Sequence, residues 1–250
     1  MLKMPKHLLS VDTNAKTVKG QKLGYMTGIL YLAPAAISGY QVCSMSAIAQ
    51  CENACLYTAG HGAFNSVQSA RINKTKIYFE HREAFMQQLI KNIIALIKKA
   101  NKNGMIPLVR LNGTSDIKWE NVSFTYEGVF YNNIMELFPD LQFYDYSKLA
   151  NRTNLPINYD LTFSYSGVLQ YQKYVTLAKN NGMRIAVVFR SVAVIPKKFL
   201  GLECIGGDNS DIRHSEPKGV IVALYAKGQA KKDMTGFVVD AQPVFNLAVA

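Results

Sequence analysis

Short apolar runs alternate with helical segments along this chain, and this alternation limits the folds that the sequence can adopt. The runs are rich in Val, Ile, Leu, Phe and Tyr, and they lie at 29–35, 106–111, 141–146, 159–165 and 184–189. Apolar residues recur at helical spacing in segments between them, at 64–103, 132–138 and 169–181. Gly104 and Gly182 mark two of the helix-to-strand joins. Alternation of this kind predicts βαβ units and a mainly parallel sheet.

We therefore expect an α/β fold, a partial or irregular (β/α) barrel with mainly parallel strands. An open doubly wound sheet is the alternative. Strand-like runs at 201–208, 219–228 and 236–239 lack convincing helices between them and predict a β-rich C-terminal region. Residues 1–24 are polar and Lys-rich, so we expect an extended lead-in followed by a single α/β domain over 25–250.

The composition restricts the class of protein. Of the 250 residues, 49% are apolar and 18% are charged, which is enough apolar material for a full core and excludes wholesale disorder. The longest apolar runs are too short to span a bilayer, and the N-terminal segment lacks the apolar stretch of a secretory signal. We expect a soluble, cytoplasmic protein with no membrane partner, and the sequence does not indicate its oligomeric state.

The chain is basic, with 28 Lys and Arg against 17 Asp and Glu and a net charge of +11. This charge favours nucleic acid or another polyanion as a partner. The alternative is a basic surface with no such role, because the lysines are scattered and no dense cationic run appears.

Three of the four cysteines, Cys43, Cys51 and Cys55, lie close together after the first predicted strand, in the spacing Cys-x7-Cys-x3-Cys. Three thiolates can ligate three irons of a [4Fe–4S] cluster and leave the fourth iron for a small ligand. A structural zinc needs a fourth ligand, which His61 or Cys204 would supply. Inert buried thiols and disulfide or redox pairing are the other interpretations.

The position of these cysteines suggests more. Loops after the strands of a (β/α) barrel meet at one mouth, and the loop after strand one is where radical S-adenosylmethionine enzymes hold their cluster. This similarity is architectural, because the usual spacing there is Cys-x3-Cys-x2-Cys. It implies that Asn112, Ser115 and Asp116, in the loop after the second strand, bind the amino and carboxylate groups of S-adenosylmethionine.

Other polar residues are candidates for the same mouth. Arg110, Asp145 and Arg190 lie at or next to predicted strand ends, where they would line a ligand pocket. Structural ion pairs and turn formation are the alternatives. A second polar group contains Asp208, Asp211, Arg213 and His214 and has no familiar catalytic spacing. It is either a turn or the metal or acid–base site of a hydrolase or nuclease.

Several segments resemble a phage family of uncharacterised proteins, the gene-product-eighty-eight-like family. They include CSMSAIAQCENACLYTAGHG, VRLNGTSDIKWE, FYDYSK, LTFSYSG and GGDNSDIR, and the resemblance runs from about residue 17 to about residue 239. His61 stands where the family pattern leads us to expect Arg. The resemblance implies a phage or prophage origin and synthesis inside an infected bacterium, but it implies no activity.

Two functions follow as hypotheses. The first is an iron–sulfur protein, similar to radical S-adenosylmethionine enzymes and of unknown substrate, with the cluster on the three-cysteine loop. The second is a non-catalytic phage protein that binds nucleic acid and whose cysteines are structural or zinc-bound. Whether the chain is an enzyme stays open at this point.

Overall fold

A computed structural model describes residues 3–11, 15–55, 57 and 59–240 of the chain. Its strands are β1 (Leu9–Val11), β2 (Tyr25–Leu30), β3 (Ile106–Arg110), β4 (Phe124–Tyr126), β5 (Val129–Tyr131), β6 (Gln142–Ser147), β7 (Tyr159–Ser164), β8 (Ile185–Phe189), β9 (Lys198–Phe199), β10 (Leu202–Gly206) and β11 (Ile221–Tyr225). Its α-helices are α1 (Ala15–Gln21), α2 (Ala35–Ser38), α3 (Asn65–Glu80), α4 (Arg82–Lys102), α5 (Ile134–Leu137) and α6 (Gln172–Asn180).

Nine strands form one large sheet in the order β1-β2-β3-β6-β7-β8-β11-β10-β9, while β4 and β5 form a separate hairpin. The neighbours from β2 through β11 to β10 pair in parallel, and β1 and β9 add antiparallel strands at the two edges. The predicted mixed α/β class and mainly parallel sheet are thus confirmed. The sheet is open at β1 and β9, so a closed barrel is not formed.

The first predicted strand, at 29–35, is placed too late, because β2 ends at Leu30 and the chain then turns into α2. The true strand contains Gly28, which looks unfavourable for a strand. A Cβ at this position would lie 2.8 Å from a methyl of Leu96 on α4. The glycine therefore lets the helix pack closely on the sheet.

Three other expectations change in detail. The predicted helix over 64–103 is two helices, α3 and α4, separated at His81. Of the predicted strand at 236–239, Val239 forms an isolated parallel bridge with Phe189 and no strand is assigned. The lead-in over 1–24 is not simply extended, since it contains β1 and α1.

Two apolar clusters hold the helices on the sheet. Helix α4 buries a face that includes Phe85, Leu89 and Ile93 against β2, β3, β6 and β7, as its helical periodicity predicts. Helix α6 buries Val175 and Ala178 against β7, β8 and β11. No helix in the described part of the chain has both the length and the apolar character needed to cross a membrane.

Candidate functional site

The carboxyl ends of the parallel strands meet at one edge of the sheet, and the loop that carries the cysteines crosses this edge. Three contacts fix the loop to segments that follow other strands. The Asp116 N–H donates to the Val42 carbonyl at 2.7 Å, the Ser166 hydroxyl donates to the Ala49 carbonyl at 2.8 Å, and the Thr235 hydroxyl donates to the Gln50 carbonyl at 3.0 Å. Anchors on both sides hold the cysteine loop in place.

The three clustered cysteines are partly buried near one another. None of them is in a disulfide within the described structure. Burial raises the pKa of all three thiols, and for Cys43 the neighbouring Asp116, Cys51 and Cys55 raise it further. The thiols are therefore neutral near pH 7 in the metal-free protein, and a metal that binds them has to displace their protons.

Lys148 lies among these thiols, immediately after β6. Its side chain is 6% exposed, and its ammonium donates to the carbonyl oxygens of Ser164 at 3.1 Å and Tyr165 at 3.0 Å. Burial lowers the pKa of this ammonium, while the nearby acidic groups oppose the shift; they are Cys51, Cys43, Asp116 and Cys55. It forms no ion pair in the described structure. A buried cation without an anionic partner is costly, so Lys148 marks a place where negative charge is favoured.

The described side chains do not form a ready-made site for zinc or for any other metal ion. No group of three or more His, Cys, Asp or Glu side chains in the described ranges is arranged to hold a metal ion. The suggested fourth ligands are not at the cluster of thiols: His61 is exposed and stacks on Phe64, and Cys204 lies on β10 beside Ile221 of β11.

Asn112, predicted to bind a cofactor, is the centre of a hydrogen-bond network inside the loop after β3. Its side-chain oxygen accepts from Ser115 Oγ at 2.8 Å, Ile117 N at 2.9 Å and Trp119 Nε1 at 3.2 Å. Its side-chain nitrogen donates to the Ile117 carbonyl at 2.9 Å and lies 3.4 Å from the Tyr159 hydroxyl. The polar atoms of Asn112 are thus occupied in shaping the loop.

Asp116 joins three loops. Its carboxylate accepts from the Lys148 backbone N–H at 2.7 Å and from Arg152 at 3.2 Å. Arg152 also pairs with Glu120 at 2.5 Å. Burial raises the pKa of Asp116, and the Arg152 guanidinium and the Lys148 N–H lower it in part. Asp116 lies close to the thiols, as predicted, but its hydrogen bonds hold the site together.

Arg110 and Asp145 also have partners within the chain. Arg110 forms an ion pair with Asp211 and lies 3.8 Å from Asp145. Asp145 accepts from the N–H groups of Leu111 and Asn112. These contacts tie the ends of β3 and β6 together below the loops.

Arg190 follows β8 and contacts the segment that returns along the sheet edge. Its guanidinium pairs with Asp240 at 2.5 Å and donates to the carbonyl oxygens of Lys231 at 2.8 Å and Asp233 at 2.6 Å. The predicted site residue thus holds the C-terminal segment against the sheet.

The polar side chains at 208–214 contact different partners. Asp208 pairs with Lys227 at 2.6 Å, Asp211 pairs with Arg110, and the His214 ring packs on Tyr25 and Tyr144. Together with Arg213, whose guanidinium pairs with Glu216 at 2.5 Å, this segment covers one face of the sheet. Asp208, Asp211 and His214 do not converge as the hydrolase or nuclease hypothesis requires.

Comparison with known protein families supports the resemblance seen in the sequence. The model of the family described as Gene product 88 matches residues 7–241. The chain belongs to the gene product 88 family. No curated protein and no solved structure matches the chain.

In this gene product 88 protein, the site also contains two buried cations, Lys148 and Arg71. Lys148 follows a predicted strand within FYDYSK, and its position at a strand end is the signal that indicates it. Arg71, on α3, interacts electrostatically with Cys55. The sequence of α3 carries polar residues on every face, so no apolar stripe shows that Arg71 is buried.

Proposed function

We propose that this gene product 88 protein is an iron–sulfur protein in which Cys43, Cys51 and Cys55 ligate three irons of a [4Fe–4S] cluster. The observation that carries the proposal is that three partly buried thiols all interact electrostatically with one buried ammonium, that of Lys148. A cluster of this kind supplies redox chemistry when bound, with one iron open to a small ligand. A phage origin and a role in the cytoplasm of an infected bacterium belong to the same proposal.

The charges in the site favour a cluster. Thiolate ligands bring negative charge into a region from which water is largely excluded, and such charge needs a compensating cation. The Lys148 ammonium interacts electrostatically with all three thiols and with the Asp116 carboxylate, and it forms no ion pair in the described structure. It offsets the charge that remains on the ligands after their protons leave.

The ligand count favours a cluster over zinc. A structural zinc ion needs four protein ligands at about 2.0–2.3 Å, and the three clustered cysteines supply only three. The thiolates of a four-iron cluster each bind a different iron, so they are spread more widely. Three cysteines are then sufficient without His61 or Cys204.

The strand order supports a partial (β/α) barrel. Six parallel strands, β2, β3, β6, β7, β8 and β11, lie side by side in chain order, as they do in a segment of a barrel. The cysteine loop follows the first of these strands, at the edge where barrel enzymes place their chemistry. Radical S-adenosylmethionine-like activity extends this proposal and stays a prediction, because Asn112, Ser115 and Asp116 make hydrogen bonds within the chain.

Nucleic-acid binding also stays a prediction, which depends on the net charge of +11. Part of this charge is buried and is unable to reach phosphates. Among the described residues, seven cationic side chains are buried: Arg71, Lys74, Arg110, Lys148, Arg152, Arg184 and Arg213.

The test is reconstitution of the purified full chain with iron and sulfide in the absence of oxygen. We expect a brown protein that retains iron and sulfide after desalting. Cys43→Ala, Cys51→Ala and Cys55→Ala should each lose most of this iron, while Cys204→Ala, a matched thiol on β10, should retain it. A colourless wild type, or equal iron in all four variants, would overturn the proposal, as would zinc bound at these thiols in place of iron.

Lys148→Gln gives a second test of the electrostatic argument. Glutamine removes the positive charge but keeps an N–H donor for the carbonyl oxygens of Ser164 and Tyr165. We expect this variant to fold, as judged by circular dichroism, and to retain several-fold less iron. Iron retention equal to wild type in a folded Lys148→Gln protein would show that the ammonium does not stabilise the cluster.

A further inference from the structure

Helix α3 contains two buried cations that lack carboxylate partners, Arg71 and Lys74. Each is 8% exposed. Arg71 Nη1 donates to the Tyr57 carbonyl at 2.9 Å, and Lys74 Nζ donates to the Leu8 carbonyl at 2.8 Å. Neither forms an ion pair in the described part of the chain. Since Arg71 and Lys74 also repel each other, their burial side by side is unfavourable unless an anion joins them.

The other buried arginines do not share this feature. Each of them has a carboxylate within ion-pair distance, and they are Arg110, Arg152, Arg184 and Arg213. The fold therefore pairs its buried guanidinium groups as a rule, and Arg71 is the exception among the described arginines that are more than nine-tenths buried.

Two tyrosine rings surround the Arg71 guanidinium. Its central carbon lies 4.7 Å from the centre of the Tyr31 ring and 5.3 Å from the centre of the Tyr57 ring. Such cation–π contacts offset part of the cost of burial but place no acceptor on the remaining N–H groups. Arg71 has five N–H donors, and in the described structure one of them, on Nη1, donates a hydrogen bond to the Tyr57 carbonyl.

Tyr57 adds an unsatisfied polar group to the same place. The side chain is 4% exposed, and its buried hydroxyl has no hydrogen-bond partner in the described structure. A buried hydroxyl without a partner is uncommon in native proteins and calls for a ligand or water.

A glycine keeps the chain close to the guanidinium. A Cβ at Gly62 would lie 2.3 Å from the Tyr57 carbonyl oxygen and 3.0 Å from Arg71 Nη1. Any side chain at this position would push the segment away from the arginine. The close approach of Gly62 to the Tyr57 carbonyl and to Arg71 therefore requires a glycine at this position.

We propose that Arg71 and the Tyr57 hydroxyl bind the carboxylate or phosphate group of a small organic ligand beside Cys55. A guanidinium has the fork of donors that fits the two oxygens of either group, and a phenol donates a further hydrogen bond. The proposal goes beyond the cluster, because the residues that carry it are not cluster ligands and the anion binds without iron.

The test uses the iron-free full chain and two probes, sodium phosphate and sodium acetate, each compared with sodium chloride at equal ionic strength. Ligands that bind the folded state raise the unfolding temperature with concentration, whereas general salt effects act on all variants alike. We expect phosphate, acetate or both to raise the unfolding temperature of the wild type more than that of Arg71→Met. The probe with the larger difference identifies the chemical group.

Three further variants make the outcome specific. Tyr57→Phe removes only the unpartnered hydroxyl, so it should fold and bind the effective probe about tenfold more weakly, a loss within the range for a hydrogen bond to a charged group. Lys91→Met, at an exposed lysine of α4, and Cys55→Ala should respond as the wild type does. Equal responses of wild type, Arg71→Met and Tyr57→Phe would overturn the anion site, whatever the iron measurements show.

Discussion

Replacing Asn112 with alanine is expected to lower the free energy of unfolding by about 2–6 kcal/mol. The side-chain oxygen of Asn112 accepts from the Ile117 N–H and the Trp119 indole N–H, and neither donor has another acceptor in the described structure. A buried donor left without an acceptor costs about 1–3 kcal/mol, which gives the range for two. The Ser115 hydroxyl can rotate and contributes less. A typical domain has about 5–15 kcal/mol of stability in total, so this single change removes much of it.

Urea unfolding, followed by circular dichroism and by the fluorescence of the single tryptophan, Trp119, measures this loss. Asn121→Ala is the matched control, because Asn121 is exposed in the neighbouring 3-10 helix and should change stability by less than about 0.5 kcal/mol. An Asn112→Ala protein as stable as the control would refute the structural role of Asn112. The residue would then be available for the cofactor binding that the sequence predicts.

Two other perturbations test the buried charges. Arg184→Ala should lower the free energy of unfolding in urea by about 3–5 kcal/mol, because it leaves Asp160 without its buried partner. Lys218→Ala removes the exposed partner of the same carboxylate and should lower it by less than about 1 kcal/mol. Similar losses in the two variants would contradict the greater importance of the buried ion pair. Burial raises the pKa of Asp145 to about 6, despite the opposing Arg110 and the hydrogen bonds from Asn112 N–H and the Tyr159 hydroxyl. The folded protein thus holds a proton that the unfolded chain releases above about pH 4, so this carboxyl lowers stability as pH rises towards 6. Asp145→Asn should remove that decrease, and parallel pH profiles of unfolding would contradict it.

The sequence predicts most of the parallel sheet, because four strands show their burial in their own residues. The ranges for β3, β6, β7 and β8 differ from the structure by one or two residues. Strand β2 is less visible, because Gly28 faces Leu96 and the requirement for a small residue comes from packing against α4. The insertion of β11 between β8 and β10 depends on contacts between distant segments. The apolar periodicity of the sequence does not predict such contacts.

The candidate site is predictable to a similar degree. Cysteine spacing and strand ends identify Cys43, Cys51 and Cys55 and place Asp116 near them, since a parallel sheet brings its loops to one edge. They do not distinguish residues that face a ligand from residues that hold the loops, because both kinds are polar and follow strands. Asn112 shows the difficulty, because its side chain makes hydrogen bonds only to its own loop and to Tyr159 in the described structure.

The pairing of buried charges distinguishes residues that face a ligand from residues that hold the loops better than position in the sequence does. Where a buried ion already has a partner of opposite sign, as Arg152 has in Glu120 and Asp116, its charge is satisfied within the chain and the fold explains the residue. Arg71 and Lys148 form no ion pair in the described structure, although the Asp116 carboxylate acts on the Lys148 pKa, and both cations interact with the cysteines. Burial of such a charge is expensive, so the fold alone gives no reason to keep either cation. This difference between the cations can be tested. Arg71→Met and Lys148→Gln should weaken ligand or iron binding while changing the free energy of unfolding little. Arg152→Met, which leaves two carboxylates without their ion pair, should lower the free energy of unfolding more than it weakens binding.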